Sequence, residues 1–196
     1  MTASLEALGI EFYRDIVRAA LCEDLGQGDR TTEATIATGQ RARGELRTKE
    51  WCVLAGLDIA IEVFRQVEPA VLVVNKKSDG HECKAGDLVV TLEGNAEALL
   101  KAERTALNFL QTLSATATQT KHLVDMIQHT NAKLLDTRKT IPNLRYAQKY
   151  AVKCGGGVNH RMGLFDCVLL KENHILSIGS FEKSIEKALF EFPNTP

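Results

Sequence analysis

The sequence predicts a mixed α/β protein, and three observations carry that prediction. Residues 44–55, 71–74 and 88–92 are short alternating or apolar runs, set among helical spacing, in the first stretch of the chain. A long helical segment follows over residues 96–129. Beyond it, apolar runs at 133–136 and 166–171 each precede a helical segment, the order expected of parallel strand–helix units.

A first helix is expected over residues 5–25, because Ile10, Tyr13, Ile16, Val17, Ala20 and Leu21 recur at helical spacing. Gly26 and Gly28 stop it. Asp29-Arg30-Thr31-Thr32 reads as a turn whose hydroxyls cap the next element. Residues 44–49 alternate and then meet Trp51-Cys52-Val53-Leu54-Ala55, which predicts strands. Gly56 opens a helix with Ile59, Val63 and Phe64 inward. Val71-Leu72-Val73-Val74 and Leu88-Val89-Val90-Thr91-Leu92 predict two further strands, with Lys84-Ala85-Gly86-Asp87 as a turn between them. This first part is α+β by run order.

Over residues 96–129 the buried side is expected to comprise Leu99, Leu100, Ala106, Leu107, Leu110, Leu113, Ala117, Val124 and Ile127. The small residues Ser114, Ala115, Thr116, Ala117 and Thr118 read as close helix packing. They leave open whether the stretch is one helix or two. After it, 133–136 is expected as a strand, 144–153 as a helix, 166–171 as a strand, and 181–190 as a helix with Ser180 before it.

Composition excludes several classes. The chain has 196 residues, 44% apolar and 25% charged, as ordinary globular proteins have. A net charge of -1 argues against nucleic-acid binding by the molecule as a whole. Its five cysteines form no C-x-x-C pair, so reduced thiols are expected rather than a disulfide framework or zinc ribbon. No signal peptide or membrane-spanning run is visible, which predicts a cytoplasmic protein.

Charge is concentrated in one window. Residues 136–174 hold seven cations against three acids, a net of +4, together with His160 and His174. Arg145, Lys149 and Lys153 lie four apart on one expected helix and read as an exposed polar face. Arg138, Lys139 and Lys171 differ, because each follows an apolar run directly. In parallel α/β folds, residues past the carboxyl ends of strands converge on the ligand crevice. Gly155-Gly156-Gly157 precedes Val158-Asn159-His160-Arg161 and is neither a Walker loop nor a dinucleotide fingerprint. It reads equally as a helix stop or as a close backbone approach to a ligand. Several arginines and lysines with a histidine suit a substrate with more than one anionic group, handled by charge stabilisation and positioning.

Three ordered blocks then resemble the quinolinate phosphoribosyltransferase family. They are Glu103-Arg104-Thr105-Ala106-Leu107-Asn108-Phe109-Leu110-Gln111-Thr112-Leu113-Ser114, then Leu135-Asp136-Thr137-Arg138-Lys139-Thr140, then the run from Lys149-Tyr150-Ala151-Val152 through Gly155-Gly156-Gly157-Val158-Asn159-His160-Arg161 to Leu170-Lys171-Glu172-Asn173-His174-Ile175. The resemblance implies an N-terminal α/β sandwich domain, residues 1–108, followed by the first part of an incomplete α/β (TIM-like) barrel, residues 109–196. It implies transfer of phosphoribosyl from phosphoribosyl pyrophosphate (PRPP) to quinolinate with decarboxylation. The products would be nicotinate mononucleotide, pyrophosphate and carbon dioxide, in NAD biosynthesis, with magnesium accompanying PRPP.

The same resemblance implies site roles. Arg138, Arg161 and Lys171 would grip the two carboxylates of quinolinate. Lys139 and His160 would face the PRPP phosphates, with Thr137 adding backbone and hydroxyl contacts. Lys139 and Lys171 would be the catalytic cations, and Arg104 would reach across a homodimer interface into the neighbour's site. From sequence alone Arg104 reads equally as a helix-surface ion pair with Glu103 or Glu97. Asn143 and Ala115 stand where the family commonly has glycine. The family's later acidic metal-associated strands and phosphate-holding loops have no counterpart here, so the chain reads as C-terminally truncated, and as crippled and unstable unless something completes it. A nicotinate-using relative, or an inactive homologue serving as a dimerisation or binding module, are the competing expectations.

Overall fold

A computed structural model describes residues 7–196. The chain forms two compact units. One comprises the residues up to Asp136 with Thr140–Asn159, the other Thr137–Lys139 with His160–Pro196.

The larger unit begins with a 3-10 turn, Ile10–Phe12, and then α1, Arg14–Leu25. The expected helix started near residue 5. Residues 5 and 6 lie outside the described part, and Tyr13 at φ -137 interrupts helical geometry, so α1 starts at Arg14. Gly26 at φ 48 ends it, as expected. The turn after it is the start of α2, Arg30–Thr35. The cap is the Asp29 carboxylate, which accepts the amides of Thr31 and Thr32 at 3.1 Å each. The Thr32 hydroxyl donates to that same carboxylate rather than capping a helix itself. These bonds from Thr32 hold the Asp29 carboxyl below its ordinary range.

A three-stranded antiparallel sheet follows, in the order β1 (Arg41–Arg47), β5 (Leu88–Asn95), β3 (Leu72–Lys76). Along β1 burial alternates with the pleat, while central β5 is buried along most of its length. β2 (Cys52–Val53) pairs with β4 (Glu82–Cys83) in a separate two-stranded sheet. The strand expected through 51–55 is therefore only two residues long. Gly56 at φ 87 turns the chain at once into α3, Leu57–Val67. Ile59, Val63 and Phe64 point inward as expected, each at most 4% exposed. A distant residue caps this helix: Asp79 accepts the amides of Gly56 and Leu57 at 3.0 Å.

The open question about residues 96–129 resolves to one helix, α4, Ala96–Ile127, capped by Asn95. Its buried stripe is Leu99, Ala102, Ala106, Leu110, Leu113 and Ala117. Leu100 is 46% exposed, against expectation. Among the small residues, Ser114 and Ala117 are buried, whereas Ala115 is exposed. The Ser114 hydroxyl accepts the Ala55 amide at 3.1 Å, and Thr118 Oγ1 accepts the Val53 amide at 2.9 Å.

Residues 133–136 contribute a single parallel bridge rather than a strand. Leu135 pairs with Val158, through Val158 N–H to Leu134 O at 2.9 Å and Asp136 N–H to Val158 O at 3.1 Å. Between them in sequence lies α5, Arg145–Cys154. Asn143 takes φ 63, a left-handed conformation that asparagine tolerates and glycine prefers. Gly155 follows α5 directly as its C-cap, in line with the helix-stop reading of the triple glycine, and it also sits where no side chain fits. A Cβ there would lie 2.3 Å from the Ala117 carbonyl oxygen and 2.6 Å from Thr120 Cβ. The close approach is between α5 and α4.

The smaller unit carries α6, Glu172–Ile178, and α7, Phe181–Glu191. α6 has no counterpart among the expected elements. Ser180 caps α7 by accepting the Lys183 amide at 3.3 Å. The strand expected at 166–171 does not form. Its residues have no ladder partner among the described residues, and the Val168 amide instead donates to Pro196 O at 2.7 Å. The class is α/β as expected: a helix-and-sheet first part, then a parallel pairing with α5 between its two partners, part of an open, incomplete barrel sheet. Among the described residues no helix is long and apolar enough to cross a membrane.

Candidate functional site

Thr137, Arg138 and Lys139 form a short ordered segment, because the Lys139 amide donates to Thr137 Oγ1 at 3.0 Å. Arg138 is half-buried, and its Nε lies buried with no hydrogen-bond partner among the described residues. A buried donor left unmatched costs about 1–3 kcal/mol, so this nitrogen calls for an acceptor. An anionic ligand is one way to supply it.

His160 and Arg161 follow the bridge at Val158. His160 Nδ1 accepts the Arg161 amide at 2.7 Å. Arg161 Nη1 donates to Cys167 O at 3.1 Å, fixing one edge of the guanidinium. Asp166 accepts the amides of Met162 and Gly163, at 2.6 and 2.9 Å, and closes that loop. Lys171 stands immediately before α6, its amide donating to His174 Nδ1 at 3.0 Å. Thr137, Arg138, Lys139, His160, Arg161 and Lys171 thus all fall within the same compact unit, although 34 positions separate the first from the last.

Arg104 falls elsewhere, on α4 of the larger unit, and is exposed. It makes no hydrogen bond or ion pair among the described residues. Glu97, a partner considered from sequence, bonds Lys101 at 2.6 Å.

The exposed-face expectation for Arg145, Lys149 and Lys153 fails at Lys149, which is 1% exposed. Its ammonium pairs with Asp136, whose side chain is 5% exposed. Asn159 Nδ2 donates to Asp136 at 2.5 Å and to the Lys149 carbonyl at 2.8 Å. Burying a lysine demands such a partner, and the spacing of charges along one helix says nothing of an acid thirteen residues earlier. Arg145, half-buried, donates from Nε to Thr140 Oγ1 at 3.1 Å.

A second buried network lies on the same helix. Tyr150 donates to Asp79 at 3.0 Å. Burial raises the Asp79 carboxyl and the Tyr150 hydroxyl above their ordinary values and pushes the Cys154 thiol up to about 12. Cys154 is thus a neutral thiol and a poor nucleophile. All five cysteines are free. Among the described residues no group of three or more His, Cys, Asp or Glu side chains could hold a metal ion.

Comparison with known proteins gives concordant results. Residues 29–114 match the family model "Quinolinate phosphoribosyl transferase, N-terminal domain", and residues 116–196 match the corresponding C-terminal domain model. The chain is 42% identical over 186 residues to a nicotinate-nucleotide pyrophosphorylase [carboxylating] of Mycobacterium leprae, covering 93% of this chain and 66% of that one. A probable enzyme of the same name from Bacillus subtilis is 40% identical, covering 85% of this chain and 57% of the relative. Among solved structures, NadC from Streptococcus pyogenes superimposes with a TM-score of 0.93 at 41% identity, covering 97% of this chain and 67% of that chain. The nicotinate-nucleotide pyrophosphorylase of Francisella tularensis gives 0.92 at 42% identity, covering 100% and 69%. The chain thus spans roughly three-fifths to two-thirds of the length of these four proteins.

Proposed function

The chain belongs to the quinolinate phosphoribosyltransferase family, and from that premise we propose that its cations bind quinolinate and PRPP for phosphoribosyl transfer with decarboxylation. The carrying observation is the gathering of Thr137–Lys139 with His160–Pro196 into one unit, where every candidate site residue except Arg104 resides.

In this reading Arg138, Arg161 and Lys171 hold the two carboxylates of quinolinate. Guanidinium forks fix the orientation of a carboxylate, and the unmatched Nε of Arg138 gains the acceptor it lacks. Lys139 and His160 face the phosphates of PRPP, with Thr137 adjoining them. The pyridine nitrogen bonds to the ribose C1 as the C1–O bond to pyrophosphate breaks. The 2-carboxylate then leaves as carbon dioxide, and its bonding pair remains on the ring carbon and takes a proton. Lys139 and Lys171 stabilise charge during these two steps. Magnesium, which the resemblance implies, travels with PRPP here. The described residues offer it no cluster of ligands.

A sandwich domain over residues 1–108, a barrel domain over 109–196, cytoplasmic location and homodimerisation with Arg104 serving a neighbour's site belong to the same reading. Titration calorimetry tests it. Quinolinate should bind more tightly than nicotinate, because two carboxylates use the cations more fully. Arg138→Ala should weaken quinolinate binding by at least ~2 kcal/mol. Equal affinity of the variant and the parent chain for quinolinate would remove the site. Quinolinate binding without turnover would favour the binding-module reading.

A further inference from the structure

We infer that Lys149, buried in the larger unit, is a positioning residue for the candidate anion-binding segments. It forms a latch with Asp136 and Asn159 at the two points where those segments begin. The inference rests on the reading that Arg138, Lys139, His160 and Arg161 contact substrate.

The latch has an address in the chain. The larger unit ends its first passage at Asp136 and its second at Asn159. The next residues, Thr137 and His160, open the segments that carry the cations. Asp136 accepts from both Lys149 Nζ and Asn159 Nδ2, and Asn159 also donates to the Lys149 carbonyl. One residue earlier on each passage, Leu135 and Val158 form the parallel bridge. Backbone pairing and the buried ion pair therefore fix both roots together. Consecutive Cα atoms stand ~3.8 Å apart, so a root held in place restricts residues one or two positions on.

Stability does not account for this arrangement. Hydrophobic side chains of similar volume usually serve a core as well as a buried ion pair does, or better. An ion pair adds direction and register. The candidate cations themselves are exposed or half-buried, so their placement depends on what holds their roots.

The double variant Asp136→Asn/Lys149→Met removes the ion pair without stranding a buried charge, and it leaves an acceptor for Asn159. Its melting temperature should stay near that of the parent chain. Hydrogen exchange, measured without ligand, should accelerate at the amides of Lys139 and Arg161. Quinolinate affinity should fall by about tenfold or more, since small misplacements of binding groups carry large penalties. A double variant that melts normally and keeps the parent's exchange and affinity overturns the latch. Should that variant unfold, Asn159→Ala decides the matter, because it spares the ion pair. Faster exchange at Arg161 with Lys139 unchanged supports the latch, and unchanged exchange at both overturns it. Failure of the binding reading looks different: Arg138→Ala would then bind quinolinate as the parent does, while exchange in the double variant still accelerates.

Discussion

The larger unit hides Val17, Leu54, Leu57, Val63, Val90, Leu113 and Ala151 almost completely, whereas the smaller unit buries only Gly163 and Ser184 among the described residues. The smaller unit instead leaves Leu164, Phe165, Leu176 and Phe190 between 72% and 84% exposed. Their local order comes from different sources. In the larger unit a shared apolar core organises helices and sheet. In the smaller, order rests on caps and loop bonds: Ser180 on α7, Asp166 across its loop, and His174 at the start of α6. Such contacts stabilise individually by about 1 kcal/mol, far less than an apolar core does collectively. Most of the candidate chemistry therefore sits on the less consolidated part of the chain.

Substitutions can break or sharpen this contrast. The largest effect is expected at Leu113, fully buried beneath Gly56. Leu113→Ala should cost about 2–5 kcal/mol in chemical denaturation. Gly155→Ala comes next, because its new Cβ meets a backbone oxygen that cannot swing aside. Overpacking of this kind costs about 1–3 kcal/mol, read as a lowered melting temperature. Asp79 gives a smaller, pH-dependent signal. Burial raises its carboxyl above the ordinary 3.8, so just above that pH the folded protein holds a proton that the unfolded chain has released. That contribution to stability is complete below pH 3.8 and is lost as pH rises through the folded value. In melts taken from pH 4 upward, the stability of the parent chain relative to Asp79→Asn should decline; a constant difference would contradict the shift. Phe190→Ala, at 84% exposure, should change stability by no more than about 0.5 kcal/mol. A core-sized loss there would erase the contrast.

Periodicity made much of the larger unit legible, since burial imposes periodicity. The inward face of α3, the ends of α4 and the strand at 88–92 could all be read from apolar spacing. The elements that escaped are those decided by distant partners. Lys149 looks like a solvated helix residue until Asp136 stands beside it. Residues 166–171 have strand composition, yet a strand exists only where a neighbour pairs with it. The start of α1 turned on the backbone of Tyr13, which apolar spacing does not encode. As for the candidate site, motif blocks drew attention to Arg138, Lys139, His160, Arg161 and Lys171. Their composition alone suggested only an anion. The buried ion pair at the roots of their segments left no signal in charge patterning, because one lysine among several cations is not distinguishable by spacing.

The hydroxyls of Ser114 and Thr118 have a consequence for solubility. Leu54 sends its amide toward His81, while Val53 and Ala55 send theirs the opposite way, into α4. That side of the ribbon would otherwise be an open sheet margin, a template onto which a foreign strand could zip. Two short alcohol side chains occupy it without adding a strand, so a neighbouring molecule finds no free row of donors there to recruit it into an aggregate.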